Sequence, residues 1–271
     1  MRILLTNDDG IRSAGITILK EYLEPLHEVW IVAPDGERSG MSHYLTLKDP
    51  VRARKVADRS YKTTGSPADC VIVALLGIMP KRPDIVLSGI NVGPNLGTDL
   101  IYSGTAAAAR QAAFMGCPAV ALSLNGFVEP LHFPPLAGFV RDNLELFRDL
   151  WDEHHFINVN APNLPHSGLP VEICVPSRRV YHDMLVNYES PRGETFFFLD
   201  GAPPAAEPDE GSDWAAVHRG SISVSPIYLH PLNHFEDDRY QNARFEGAAG
   251  PNQQGDPAVG AHGGGAARRG T

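Results

Sequence analysis

The stretch Ile3-Leu4-Leu5-Thr6-Asn7-Asp8-Asp9-Gly10 decides how the chain is read. A short β-prone run ends in a polar, glycine-closed turn, and a helical pattern from Ala14 to Leu26 follows at once. A strand that passes through a tight turn into a helix is the opening half of a β-α-β unit. The next apolar run, Val29 to Ala33, supplies the second strand.

The same rhythm continues outward. Asp84 to Ser88, Ala119 to Leu124 and Phe156 to Asn160 read as further strands, with helical patterns at Pro67 to Ile78, Thr105 to Met115 and Leu136 to His154. Strands that alternate with amphipathic helices predict an α/β fold, a Rossmann-like, doubly wound and mostly parallel sheet. Two helix starts are well signed. Ser66-Pro67 with Asp69 fits an N-cap, a first-turn proline and a first-turn carboxylate, and Thr105 opens an alanine-rich run just after Gly104.

After about Pro165 the rhythm changes. Leu169 to Val175, Thr195 to Leu199 and Ser221 to Ser225 look like β structure, separated by turn-rich stretches that include Gly201 to Asp213. The expected organisation is one α/β domain over residues 1–246, with a core over about 1–165 and a hairpin-rich extension over about 166–246 of the kind that mediates oligomers. Residues 247–271, rich in Gly and Ala with little to bury, read as a disordered tail.

Composition narrows the function classes. With 271 residues, 43% hydrophobic and 20% charged, the chain can bury a large core and falls in neither the disordered nor the membrane class. The formal charge of −9 argues against nucleic-acid binding through a broad basic face. A small phosphorylated ligand is still allowed if a metal ion or a helix N-terminus holds it locally. Cys70, Cys117 and Cys174 are too few and too widely spaced for a disulfide framework or a zinc site, so they read as buried free thiols. No signal-like segment precedes the strand that Met1 to Thr6 enters, and no apolar run is long enough to span a bilayer, so a cytoplasmic location is the expectation.

Familiar catalytic signatures are absent. There is no Walker A loop, no G-x-G-x-x-G, no G-x-S-x-G elbow and no H-E-x-x-H. The chemistry-bearing residues instead gather where the fold places ligands, beyond the carboxyl ends of the strands. Asp8 and Asp9 follow the first strand, and Gly10 lets the chain turn so that both carboxylates can serve one site. The plainer alternative is an acidic turn that caps the next helix.

Ser39 follows the second strand and Asn91 the third, in glycine-rich loops that could equally be simple turns. Taken together, Asp8, Asp9, Ser39 and Asn91 form a hard-oxygen set suited to Mg²⁺ or Mn²⁺. Ser103-Gly104-Thr105 opens a helix whose free N–H groups and dipole could hold a phosphate; an ordinary capped helix is the alternative. His43 and His132 have no visible partner, and a loop arginine such as Arg38 is usually solvated.

Five blocks then line up with one known family. They are N-D-D-G at Asn7–Gly10, R-S-G at Arg38–Gly40, G-S-P-A-D-C-V at Gly65–Val71, S-G-I-N-V-G-P-N-L-G-T-D at Ser88–Asp99 and Y-S-G-T-A-A-A-A-R-Q-A at Tyr102–Ala112. In this order they resemble the SurE (survival protein E) family of phosphatases. Weaker similarity runs on through Asn158–Pro162, Pro191–Gly193 and Ser212-Asp213 to Ser221–Pro226. The resemblance implies that Asp8, Asp9, Ser39 and Asn91 bind one divalent metal per subunit, and that Asn95, Ser103, Gly104 and Thr105 surround the substrate phosphate.

It also implies hydrolysis of nucleoside 5′- and 3′-monophosphates, with polyphosphate accepted by some members, and dimers or tetramers built partly by exchange of C-terminal arms. Ser66 stands where Thr is common and Gly36 where a bulkier residue is common. The expected function is therefore a metal-dependent phosphomonoesterase, with Asp8 and Asp9 at its catalytic centre, acting on small nucleotides and engaging neither nucleic acid nor membrane. The alternative is a non-catalytic nucleotide-binding stress module on the same fold.

Overall fold

In a computed structural model, residues 1–207 and 209–230 are described. The expected tail at 247–271, and the part of the extension beyond residue 230, lie outside the described residues. The chain opens with β1 (Arg2–Thr6), α1 (Ala14–Leu23) and β2 (Glu28–Pro34), the β-α-β unit that the first residues predict. The hairpin β3 (Ala53–Ala57) and β4 (Ser60–Thr63) and the helix α2 (Pro67–Val73) come next. They are followed by β5 (Ile85–Val92), α3 (Gly104–Phe114), β6 (Ala119–Asn125), α4 (Phe133–Asp142), α5 (Leu144–Leu150) and β7 (His155–Pro162). The last elements are β8 (Val171–Ile173), β9 (Arg179–Glu189), β10 (Thr195–Ala206), α6 (Asp213–His218) and β11 (Ile222–Tyr228).

Among the described residues, nine strands form one sheet in the order β3-β4-β2-β1-β5-β6-β7-β11-β8. The run from β4 to β7 is parallel throughout, with β3 and β11 antiparallel to their neighbours β4 and β7. Connections from β1 run toward β2 on one side, while β5 lies on the other, so the strand order reverses at the β1–β5 seam. In an open α/β sheet that seam is where a ligand crevice forms.

Both faces of the sheet are covered, which explains why its central strands carry apolar side chains on both faces. Ile3 and Leu5 face a core made with Ile16 and Leu19 of α1 and Leu136 and Val140 of α4, while Leu4 faces the opposite core. That second core is built on Cys70 and Val71 of α2 and the alanines of α3. Ala106 to Ala109 are buried in succession. Small side chains all round let α3 lie in direct contact with the sheet on one side and α2 on the other, holding its N-terminus firmly at the seam.

Several local expectations change. The helix expected from Leu136 to His154 is two helices, because Asn143 ends α4 by donating its side-chain amide to the carbonyl of Phe139 at 2.9 Å. The expected turn-rich stretch from Gly201 begins as strand, since β10 runs on to Ala206 and pairs with β9. Segments beyond residue 165 also complete the main sheet: β11 pairs with β7 and β8 with β11. Among the described residues, only β9 and β10 stand apart, as a separate two-stranded sheet. The α2 start is as expected, a capping box between Ser66 and Asp69 with Pro67 in the first turn. Cys70, Cys117 and Cys174 are free and buried.

Candidate active site

The turn after β1 sets the site. Gly10 adopts φ +96°, and a Cβ there would lie 3.1 Å from the backbone of Gly36, so only glycine lets this turn pass beside the β2 loop. Asp8 is buried at 3% exposure. Its carboxylate accepts the Thr105 N–H at 3.1 Å and, through the other oxygen, the Thr105 hydroxyl. A Cβ on Gly104 would come within 2.8 Å of Asp8 Oδ2, so glycine at the start of α3 makes room for that carboxylate. The Asp8 carbonyl accepts the Arg38 N–H at 2.8 Å, which ties the β2 loop to the turn.

The fourth ligand candidate, Asn91, comes from β5. Its register with β6 shifts between Ser88 and Asn91, and Gly89 in this bulge has φ +132° with the Leu122 carbonyl where a Cβ would be, at 2.2 Å. A bulge re-aims the side chains that follow it. Here Asn91 uses its amide nitrogen on the carbonyls of Val92 and Gly93, at 3.1 and 2.9 Å, leaving Oδ1 buried without a partner. Asp9 Oδ2 is also buried and unpaired.

A cleft of about 250 Å³ opens at this edge, and Asp8, Ser39, Asn91, Asn95 and Ser103 all line it. Five residues from the ends of β1, β2 and β5 and the approach to α3, expected from the sequence to share a site, therefore meet. Asp9, Gly104 and Thr105 stand behind the lining. Thr105 directs both of its donors to Asp8, and Ser103 caps α3 by accepting the Ala106 N–H at 3.0 Å. The N–H of Gly104, first in the helix, has no intrahelical partner. Asn95 is locked in place: its amide donates to Ser123 Oγ, its N–H to Asn160 Oδ1, and its carbonyl accepts Asn158 and Asn160.

The electrostatics are those of crowded anions. Burial pushes the Asp8 carboxyl up, against the opposing pull of the Thr105 hydrogen bonds. Asp9 is pushed up to about 7, first by burial and then by the charges of Asp8 and Glu37. Glu37, which the residue pattern did not single out, accepts the Ser39 hydroxyl at 2.5 Å. Ser39 thus gives away its proton and keeps oxygen lone pairs for the cleft. Among the described residues no cluster of three or more His, Cys, Asp or Glu side chains could hold a metal by itself. Any cation here must draw on the neutral oxygens of Ser39 and Asn91. The unpaired Asn91 Oδ1 and Asp9 Oδ2, with Asp8 between the loops, fit a hard divalent ion.

Other singled-out residues fall elsewhere. Arg38 pairs with Asp35 at 3.0 Å, and His43 sits against Gln111 at 2.9 Å, with its pKa lowered by burial. His132 meets Asn163 only through its backbone N–H. The structure adds three wall residues beyond the expected ligands: Asp99 and Tyr102, which close and open two of the quoted blocks, and Phe127, which no pattern marked. Tyr181 of β9 joins them, donating its hydroxyl to Asp99 at 2.5 Å.

Fold and site together define a doubly wound α/β protein with an oxygen-lined cleft at its switch point. The family model for Survival protein SurE matches residues 3–183, and the chain belongs to the SurE family. The 5′-nucleotidase SurE of Geotalea daltonii is 38% identical over 236 residues, covering 86% of this chain and 95% of that protein. That of Nitrosococcus oceani is 41% identical over 231 residues, covering 84% and 92%. Among solved structures, the SurE protein from Aquifex aeolicus superposes with a TM-score of 0.77 at 35% identity, covering 90% of this chain and all of that one.

Proposed function

We propose that this chain is a divalent-metal-dependent phosphomonoesterase that releases phosphate from nucleoside 5′- and 3′-monophosphates. One observation carries the reading: Asp8, Ser39, Asn91, Asn95 and Ser103 converge on one cleft at the β1–β5 seam, backed by the unpaired Asp9 Oδ2 and Asn91 Oδ1. The names of its relatives, 5′-nucleotidases, support the same class of substrate.

In this reading Asp8, Asp9, Ser39 and Asn91 hold one Mg²⁺ or Mn²⁺. When bound, that ion supplies positive charge against the phosphoryl group and eases ionisation of a water molecule. The chain's own residues do the rest. Thr105 fixes Asp8 in a single orientation through two hydrogen bonds. Ser103 and the first N–H of α3 receive the equatorial phosphate oxygens, where the helix dipole favours negative charge. Asn95, immobilised by β6 and β7, bounds the phosphate from the other side. The free buried thiols fit the reducing cytoplasm, where we place the protein.

The test is phosphate release from a panel of nucleoside monophosphates with Mg²⁺, Mn²⁺ or EDTA. Turnover with either ion and none in EDTA is the expected result. Binding of nucleotide without release in any metal would instead favour a non-catalytic module.

A further inference from the structure

A separate cavity lies at the sheet edge that the β3–β4 hairpin forms. It measures about 280 Å³ and is lined by Asp35, Arg52, Arg54, Lys62, Thr63 and Thr64. None of these residues lines the oxygen-rich cleft. The charge here runs against that of the whole chain. Residues 48–62 carry six Lys and Arg against two Asp, in a protein of formal charge −9.

Strand register gathers the cations. Arg54 stands directly opposite Lys62. Arg52 meets Thr64 through a reciprocal pair of bonds, its N–H donating to Thr64 Oγ1 at 3.1 Å and its carbonyl accepting the Thr64 N–H at 3.0 Å. Side chains two apart on an extended chain share a face, so Arg52, Arg54, Lys62 and Thr64 form one patch. Tyr61 packs on the α2–α3 core and Thr63 Oγ1 lies 3.0 Å from Cys70 Sγ, so the patch is on the opposite face of the sheet. There Arg52 and Arg54 are exposed and Lys62 is half-buried, all within reach of a ligand.

Like charges directly opposite on paired strands repel, and an anion between them would reverse the sign of that interaction. Nearby acids are already engaged. Asp35, in the lining, pairs with Arg38 at 3.0 Å, and Asp58, at the hairpin turn, with Lys55 and Arg59 at 3.5 and 3.2 Å. Among the described residues no ion pair forms to Arg52, Arg54 or Lys62. Thr64 Oγ1 accepts the Arg52 N–H, which leaves its hydroxyl proton to donate. Guanidinium forks match the paired oxygens of a phosphoryl group, and an ammonium adds charge without a fixed direction.

We propose that this cavity is a second anion site, which holds a diphosphate group apart from the metal cleft. Arg52, Arg54 and Lys62 receive the oxygens of its two phosphoryl groups, and Thr64 donates to one of them. A phosphomonoester carries at most about two negative charges at neutral pH, whereas three cations match the larger charge of a diphosphate.

The experiment is calorimetric titration of sodium diphosphate into the full chain in EDTA at pH 8, where the metal cleft without its ion presents carboxylates and repels an anion. Wild type should bind one diphosphate per subunit, more weakly as salt is raised. Arg54→Gln with Lys62→Gln should bind at least about tenfold more weakly, through loss of two charge-assisted contacts. Asp9→Asn should bind like wild type. Circular dichroism should show the double variant folded, with a thermal midpoint no lower than that of wild type when no ligand is present, because a repulsion has been removed. Absence of binding by wild type, equal binding by the double variant, or loss of binding in Asp9→Asn would each overturn the site. ADP and free diphosphate, titrated in parallel, separate the sources: equal affinity assigns recognition to the phosphates alone, and tighter ADP binding assigns the site to a nucleotide-borne diphosphate. A single-stranded oligonucleotide that binds where diphosphate does not would overturn the proposal in favour of a nucleic-acid partner.

Discussion

At the scale of single residues, the site depends on one contact that joins positions 97 apart in the chain, Thr105 on Asp8. Thr105→Val keeps the shape and removes the hydroxyl, leaving one oxygen of a buried carboxylate without its donor. A misplaced carboxylate in a preorganised site costs about ten- to a hundredfold in rate. The expected result is that loss in kcat with KM little changed, largely restored by Thr105→Ser, read from steady-state kinetics.

Asp9→Asn should lower kcat/KM by about a hundredfold or more, through loss of a charged ligand. The same change should stabilise the metal-free protein. The Asp9 carboxyl stands at about 7 in the fold against an ordinary value of 3.8, so the native state holds a proton that the unfolded chain has released between those limits. Stability therefore falls as pH rises from about 4 to 7 and stays low above that. In EDTA at pH 8, thermal or urea unfolding should show Asp9→Asn more stable by about 1–3 kcal/mol, a figure reduced for solvent screening. At pH 4 the two proteins should coincide in this respect.

At the scale of elements, the bulge in β5 decides where Asn91 points. Gly89 has both a left-handed φ and the Leu122 carbonyl in the place of its missing Cβ. Gly89→Ala must push β6 away or flatten the bulge, and either shift moves Asn91. We expect destabilisation of about 2 kcal/mol or more in chemical denaturation, together with weaker Mn²⁺ binding by calorimetry. Retained stability with unchanged Mn²⁺ affinity would contradict this account of the bulge. The strand's apolar run announces β5 in the sequence, but its alternation carries no mark of the register shift, because a bulge is defined only against the partner strand.

At the scale of the whole molecule, the β9–β10 ribbon is apolar on both faces. Leu185, Phe197 and Leu199 share one face, and Met184, Tyr188, Phe196 and Phe198 the other, all more than half exposed. An isolated two-stranded ribbon is at best marginally stable in water, and one body cannot cover both of its faces. We propose, as the family resemblance implies, that a second copy covers the ribbon in a homodimer or homotetramer. Light scattering coupled to gel filtration should give a dimer or tetramer mass for wild type. Phe197→Ser with Leu199→Ser should shift it toward monomer, with the parallel sheet intact by circular dichroism. A wild-type monomer would remove the assignment.

What could be read in the amino-acid order was whatever is periodic or local. Central strands buried on both faces, helix starts such as Ser66-Pro67 with Asp69, and the acidic turn at Asn7–Gly10 all leave their pattern within a few residues. That was enough for the fold class and for candidate ligands drawn from separate loops, among them Asp8, Ser39 and Asn91. The edge hairpin β3–β4 was missed because β3 is exposed along its whole length and has no alternation to show. The break at Asn143 was missed because its cap is a side-chain bond that competes with an otherwise continuous apolar pattern. Only the tertiary structure decided that Thr105 serves Asp8, that Tyr181 closes on Asp99 from 82 residues away, and that Arg52, Arg54 and Lys62 share one cavity. Such pairings are set by how the sheet twists and which loops it brings side by side, and no spacing along a chain records a distance across it.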